Sequence, residues 1–272
     1  MMASDGMGRE FGMSYDMILY SLDEGVARIS LNDPATLNAS NEVMNLELLA
    51  ALDRASVEAR AIVLTGEGRA FCSGANLANV GASLKDPMRD VGRMLDSALN
   101  PCVVAIKNMD IPVVTAVRGA AAGVGCGLAL SGDIIICGES GYFFFAFRHV
   151  GLVPDGGSSW LLTRAVGRVR AMDVMLRGKK VHASEALDWG LITEVVPDED
   201  VEVRAMSVAR ELASGPFSLG LIKKLAWQAA DSGLESALTN ERVLQRRACR
   251  SDDFVEGVTA FTEKRKAQFK GR

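Results

Sequence analysis

A chain of 272 residues with 49% hydrophobic content and a formal charge of −4 can bury a large single core, and no basic stretch with interleaved aromatics points to nucleic acid as a partner. With no unbroken apolar run of about eighteen residues and no signal-peptide pattern, the expectation is a soluble, cytoplasmic protein with no membrane contact. Cys72, Cys102, Cys126, Cys137 and Cys249 are odd in number and unclustered, which predicts reduced core thiols rather than disulfides or a zinc site.

In chain order, residues 1–14 are rich in Met and Gly without periodicity and predict a disordered leader. Residues 17–22 and 26–31 are apolar runs flanking Asp23-Glu24-Gly25, a hairpin signal. Asn41 predicts the cap of a helix to about Ala59, with Val43, Leu46, Leu49, Ala50 and Leu52 at helical spacing. A short apolar strand follows over 60–65. Residues 80–108 start polar and become helical, with Met88, Val91, Leu95, Ala98 and Leu99 on one face. The β-branched run 111–117 predicts a buried strand. Residues 133–137 and 141–145 predict two short strands paired with each other. Residues 158–177 predict a helix with Trp160, Leu161, Ala165, Val166, Val169 and Met172 inward, and from about Asp198 onward the pattern is wholly helical. Alternating short strands and helices give an α/β core.

Between strand 111–117 and Leu128-Ala129-Leu130, which can start a helix, lies Gly119-Ala120-Ala121-Ala122-Gly123-Val124-Gly125-Cys126-Gly127, four glycines in nine residues. Such a loop turns tightly and lets a ligand approach the backbone, and the first N–H groups of a following helix favour negative charge. It is neither a P-loop nor the dinucleotide fingerprint, and from these residues alone close helix–sheet packing is an equal reading. A second turn of small residues, Ala70-Phe71-Cys72-Ser73-Gly74-Ala75-Asn76-Leu77, follows strand 60–65. Together with Leu31-Asn32-Asp33-Pro34 through Leu37-Asn38-Ala39, Gly151-Leu152-Val153-Pro154-Asp155, Ala186-Leu187-Asp188-Trp189-Gly190-Leu191-Ile192 and Phe261-Thr262-Glu263-Lys264-Arg265, these motifs resemble the crotonase, or enoyl-CoA hydratase/isomerase, superfamily over nearly the whole chain.

The resemblance implies a spiral of ββα units over 15–200 and a C-terminal helical region, 201–272, at the interface of a homotrimer or a dimer of trimers. It implies an acyl-CoA thioester as substrate, with coenzyme A entering as part of it and with no separate cofactor or metal. Matched motif to motif, the backbone N–H groups of Ala75 and Val124, the latter next to Gly123, would polarise the thioester oxygen. Ala35, Leu37, Ala70, Ser73, Asn76 and Leu77 would border the pantetheine arm and adenine. Phe261 and Lys264 would reach the nucleotide end, often in a neighbouring subunit, although read alone Lys264 is a solvated helix end. Asn76 stands where the family usually has Asp.

Hydratases of this family use two glutamates, and Gly127 and Phe147 stand at those positions, so paired-carboxylate hydration is disfavoured. Asp155 precedes a helix, where Asp usually caps. The resemblance instead implies the proton-shuttling base of an enoyl-CoA isomerase, with residues 151–170 and 245–272 most similar to the ring-1,2-epoxyphenylacetyl-CoA isomerase branch. Phe147 beside Asp155 would raise its pKa by desolvation. The expected activity is acyl-CoA isomerisation through an enolate. Enoyl-CoA hydration, or dehalogenase- or thioesterase-like chemistry with Asp155 as nucleophile, are the alternatives. His149 and His182 lack a nucleophile context, and Asp133 reads as a structural hydrogen-bonding residue.

Overall fold

The computed structural model describes residues 14–77 and 85–272. All but Ser14 of the expected leader, and the start of the helix expected from residue 80, lie outside the described residues. β1 (Ile18–Asp23) and β2 (Val26–Leu31) form the predicted antiparallel hairpin, with Asp23 opposite Val26. Its two loop residues, Glu24 (φ 48°) and Gly25 (φ 78°), are both left-handed, as a tight primed turn requires. α1 (Glu42–Glu58) begins where predicted, its cap Asn41 accepting a hydrogen bond from Met44 N through the side chain. It returns the chain to β3 (Ala61–Gly66), which lies parallel to β2.

From β3 onward the chain repeats one pattern. After β3, residue Cys72 forms a bridge to Ala121, and α2 (Asn100–Asn108) follows. Next come β4 (Val113–Val117), β5 (Ala120–Ala122) and α3 (Val124–Leu130), then β6 (Ile134–Gly138), β7 (Tyr142–Phe144) and α4 (Ser158–Arg177). β8 (Lys180–His182), α5 (Ala183–Asp188) and β9 (Glu194–Val196) close the spiral. One sheet has the order β1-β2-β3-β4-β6-β9 and a second, of three short strands, the order β5-β7-β8. The turns β4-β5-α3 and β6-β7-α4 each contribute one strand to each sheet before the helix. This corrects the expected pairing of 133–137 with 141–145. β6 lies parallel to β4 and β9 and β7 lies parallel to β5, because the chain turns a corner at Gly138–Gly141 and each strand finds its partner in another turn of the spiral.

Alternate side chains of the first sheet enter different layers. Ile29, Ile62 and Leu64 enter the main core with Leu48 and Leu52 of α1. Ala61, Val63, Val114 and Ala116 face a stripe of Val201, Ala205, Ala209 and Ala213 on α6 (Val201–Ala213). Burial on both faces explains why these strands read as continuous apolar runs. The C-terminal region continues as α7 (Ser218–Ala229), α8 (Leu234–Ala248) and α9 (Asp252–Glu263). Among the described residues no helix is long and apolar enough to cross a membrane.

Three predicted helical faces change, the first on α1, where Val43 and Leu46 are exposed and Met44, Leu48, Ala51 and Ala55 are buried instead. Gly167 (φ 78°, ψ 159°) breaks α4, so the phase read from Trp160 and Leu161 does not carry through. Val169 is 73% exposed, Ala165 and Met172 are also exposed, and Leu162, Ala171 and Val174 are buried instead. Before α2 the backbone is π-helical over Leu95–Leu99. Ala98 and Leu99 are buried as expected, whereas Met88 and Val91 face outward. Four cysteines are buried thiols, their pKa values raised by burial, but Cys249 is exposed and not part of the core.

Asp133 is structural, as expected. Its carboxylate accepts from Val113 N (2.8 Å) and Trp227 Nε1 (3.1 Å) and pairs with Lys223 Nζ (2.8 Å), whose side chain is 3% exposed. The ammonium also donates to Ile106 O and Ile111 O, tying α7 to the edge of the spiral. Lys223→Met leaves Asp133 without its cation and two carbonyls without a donor, and is expected to destabilise by about 3–5 kcal/mol. A thermal melt within a degree of the parent would show that the pair carries none of this load.

Candidate active site

The first small-residue turn is held from below. Asn38, buried and left-handed at φ 57°, accepts from Asp33 N and donates to Glu67 O and Ala70 O. Ser73 N donates to Leu37 O (2.9 Å), and Ser73 Oγ to Thr36 O (2.9 Å). The structure thus brings the stretch of Ala35 and Leu37 against Ala70 and Ser73, four of the residues singled out for the coenzyme arm. Leu77, two residues beyond Ala75, is exposed, and Asn76 is half-buried. Asn38 itself was missed as a positioning residue. The signal available was an Asn after a Pro-containing turn, since Asn tolerates the left-handed region.

Ser40 N donates to Gly74 O and Asn76 N to Ser40 O, a parallel bridge with Ala75 in the middle. In such a bridge the central residue's own N–H points away from the partner strand. The Ala75 N–H accordingly donates to no acceptor among the described residues. The second loop meets this one through its glycines. At Gly74 (φ 107°) a Cβ would lie 3.2 Å from Ala122 O, and at Gly123 (φ 50°) one would lie 3.5 Å from Gly74 Cα. Glycine suits both positions through their positive φ, and at Gly74 a side chain would also be tight.

α3 starts at Val124, four residues earlier than Leu128, because Gly125 and Gly127 adopt helical geometry rather than extending the loop. Val124 is therefore the first helical residue. Its N–H has no intrahelical acceptor and donates to nothing else among the described residues. Two unused N–H groups, one exposed at Ala75 and one at a helix N-terminus, flank the contact between the loops. That arrangement can hold an oxygen on which negative charge develops.

Asp155 lies in the turn before α4. Its carboxylate does not cap the helix. Ser158 N (3.0 Å) and Ser158 Oγ (2.7 Å) donate to its backbone carbonyl, while Oδ1 is buried with no hydrogen-bond partner. Burial raises the Asp155 pKa to about 6, into the range of a working general base. Phe147 is buried, and its carbonyl accepts from Leu152 N in the same turn. Gly127 and Phe147 leave no carboxylate at either glutamate position. His149 Nε2 lies 3.0 Å from Gly178 O and the His182 ring stands against Tyr142.

The structure does not bring Phe261 and Lys264 to these loops. Phe261 is 86% exposed at the end of α9. That helix is anchored elsewhere, through Asp253, whose carboxylate accepts from Phe217, Lys270 and Gly271 backbone N–H groups. Lys264 is its left-handed C-cap (φ 55°).

The sequence matches the enoyl-CoA hydratase/isomerase family over residues 21–272. The chain belongs to that family, the crotonases. This crotonase is 46% identical over 264 residues to a Rhodobacter capsulatus protein named "Probable enoyl-CoA hydratase", covering 96% of this chain and 100% of that one. It is 41% identical over 260 residues to the 1,2-epoxyphenylacetyl-CoA isomerase of Escherichia coli K12, covering 94% and 99%. Among solved structures, an enoyl-CoA hydratase from Polaromonas sp. JS666 superposes with a TM-score of 0.88 at 30% identity, covering 93% of this chain and 99% of that one. The crotonase fold and an activity of the hydratase/isomerase type follow, and both isomerases and hydratases stand among the relatives.

Proposed function

We propose that this crotonase is an acyl-CoA isomerase that moves a double bond, or isomerises a ring epoxide, through an enolate. The observation that carries the reading is the half-buried carboxylate of Asp155, its Oδ1 buried without a hydrogen-bond partner and not capping α4, in a turn packed on the helix that starts at Val124. The thioester oxygen sits between the Ala75 and Val124 N–H groups. Asp155 takes the proton from C2 of a 3-enoyl thioester, the electron pair delocalises onto that oxygen, and the same carboxyl returns the proton at C4. Backbone donors suit this task because they bind the developing charge more strongly than the neutral carbonyl. With no carboxylate at Gly127 or Phe147, the positions of the hydratase glutamates, addition across a 2-enoyl thioester lacks the paired base it uses there. The chemistry needs no group beyond the thioester itself.

The pantetheine arm runs along Ala35, Leu37, Ala70, Ser73, Asn76 and Leu77. Phe261 and Lys264 reach the nucleotide end of a neighbouring copy. In support of a trimer, α8 buries none of its residues within the chain, and Leu238, Val243, Phe254 and Val258 lie exposed on α8 and α9.

Separate incubations with a 3-enoyl-CoA and a 2-enoyl-CoA test the reading. Double-bond migration with little water addition is expected. Rapid formation of 3-hydroxyacyl-CoA from the 2-enoyl substrate would overturn it in favour of hydration, as the name of the Rhodobacter relative suggests.

A further inference from the structure

We propose that Gly127, where hydratases of this family carry a glutamate, is a positioning residue for Asp155 because the Gly156 carbonyl is seated in the space its missing side chain leaves. The inference rests on the isomerase reading and adds to it how the base is held. A Cβ built on Gly127 would collide with Gly156 O and lie 2.9 Å from Gly156 C, contacts no real side chain makes. Gly127 is three residues after Val124 on α3, so the two lie on the same side of that helix. A Cβ on Gly156 would lie 3.2 Å from Leu99 Cδ2 and 3.8 Å from Val124 O of α3. The peptide after Asp155 is thus held closely against both α3 and Leu99, a contact called the clamp below.

This clamp matters because little besides the Asp155 backbone itself aims the carboxylate, which is within hydrogen-bond reach of its own main chain. A general base is usually oriented by hydrogen bonds, yet Asp155 Oδ1 has none, and the bonds from Ser158 end on the backbone carbonyl. Orientation then depends on where the backbone of residues 155–157 sits, and that is set by direct contact with α3. The same helix supplies the Val124 N–H, so one close contact fixes base and oxyanion donor relative to each other. The corollary is that Gly127→Glu cannot install a hydratase-type glutamate without displacing Asp155.

Few other ionisable groups reach the turn. Cys126 of α3 is within electrostatic range of Asp155. From α2, Cys102 donates to Asn45 O and Lys107 stands over the Trp160 and Trp227 rings. Arg148 and His149 are directed at the carbonyls of Leu176 and Gly178.

Isomerase kinetics of Gly127→Ala test the idea. Displacing the turn is expected to lower kcat about ten- to hundredfold with KM changed only a few-fold, since an ångström of misplacement can cost that much. The acid limb of the kcat/KM profile should move below about pH 6 as water reaches the carboxylate. In an Asp155→Asn background, Gly127→Ala should cost no further activity. Gly125→Ala is the comparator. Its Cβ would meet Cys72 O at 2.7 Å on another side of α3, so its acid limb should stay in place whatever it does to stability.

Equal acid-limb shifts in both glycine variants, or additive losses with Asp155→Asn, would overturn the proposal. If Gly127→Ala does not fold, Leu99→Val loosens the same clamp at its contact with Gly156. The same two shifts are expected from it, and an unchanged profile would overturn the proposal. Near-normal turnover of Asp155→Asn alone would instead remove the isomerase reading itself.

Discussion

Asp155→Asn is expected to reduce isomerase turnover by about a hundred- to ten-thousand-fold, the usual contribution of a general base, while acyl-CoA affinity is retained. The fold should not suffer. The carboxylate caps nothing, and Asn keeps its size and the backbone carbonyl to which Ser158 donates. Burial holds the pKa up at about 6, so ionising this group opposes folding. Stability tied to it is fully present below the usual Asp value near 4 and is lost as pH rises through about 6. Asn carries no such penalty. The variant should therefore melt higher than the parent above pH 6, with the gap closing as the pH approaches 4. The parent's kcat/KM should rise with pH through about 6 and level off above it. A variant with near-normal turnover that melts several degrees lower at pH 7.5 would make Asp155 a structural residue.

Val124→Pro is expected to lower turnover by about 10²–10³, equivalent to roughly 3–4 kcal/mol, because it deletes one donor to the enolate oxygen. Proline suits the first helical position, where its fixed φ is already helical and the N–H has no intrahelical partner to lose. The loss should fall mainly on kcat. A neutral thioester carbonyl gains only about 1 kcal/mol from a hydrogen bond, whereas the enolate depends on it. Circular dichroism and a thermal melt would report the fold separately from the chemistry. Turnover within threefold of the parent, on a folded protein, would mean that the Val124 N–H does not hold the reacting oxygen.

Local features of the chain were legible because their causes are local. The Asp23–Gly25 hairpin, the Asn41 cap and the buried strands near 61–66 and 113–117 follow from turn chemistry, a capping side chain and doubly buried apolar runs. The motifs around Ala75, Val124 and Asp155 carried the family resemblance, and the absence of carboxylates at Gly127 and Phe147 could be read directly. What lay beyond the sequence depended on partners distant along the chain. Periodicity locates β6 and β7 but does not say that they join different sheets, because strand pairing is chosen between turns of the spiral. A single non-helical glycine, Gly167, reset the inward face of α4. An Asp before a helix usually caps it, and only the placement of the Ser158 bonds on the Asp155 carbonyl shows that this carboxylate does not. Gly127 reads in sequence as a missing glutamate. Only the packing of the Gly156 carbonyl against its Cα shows the position filled, since backbone from another turn of the spiral occupies the volume a side chain would need.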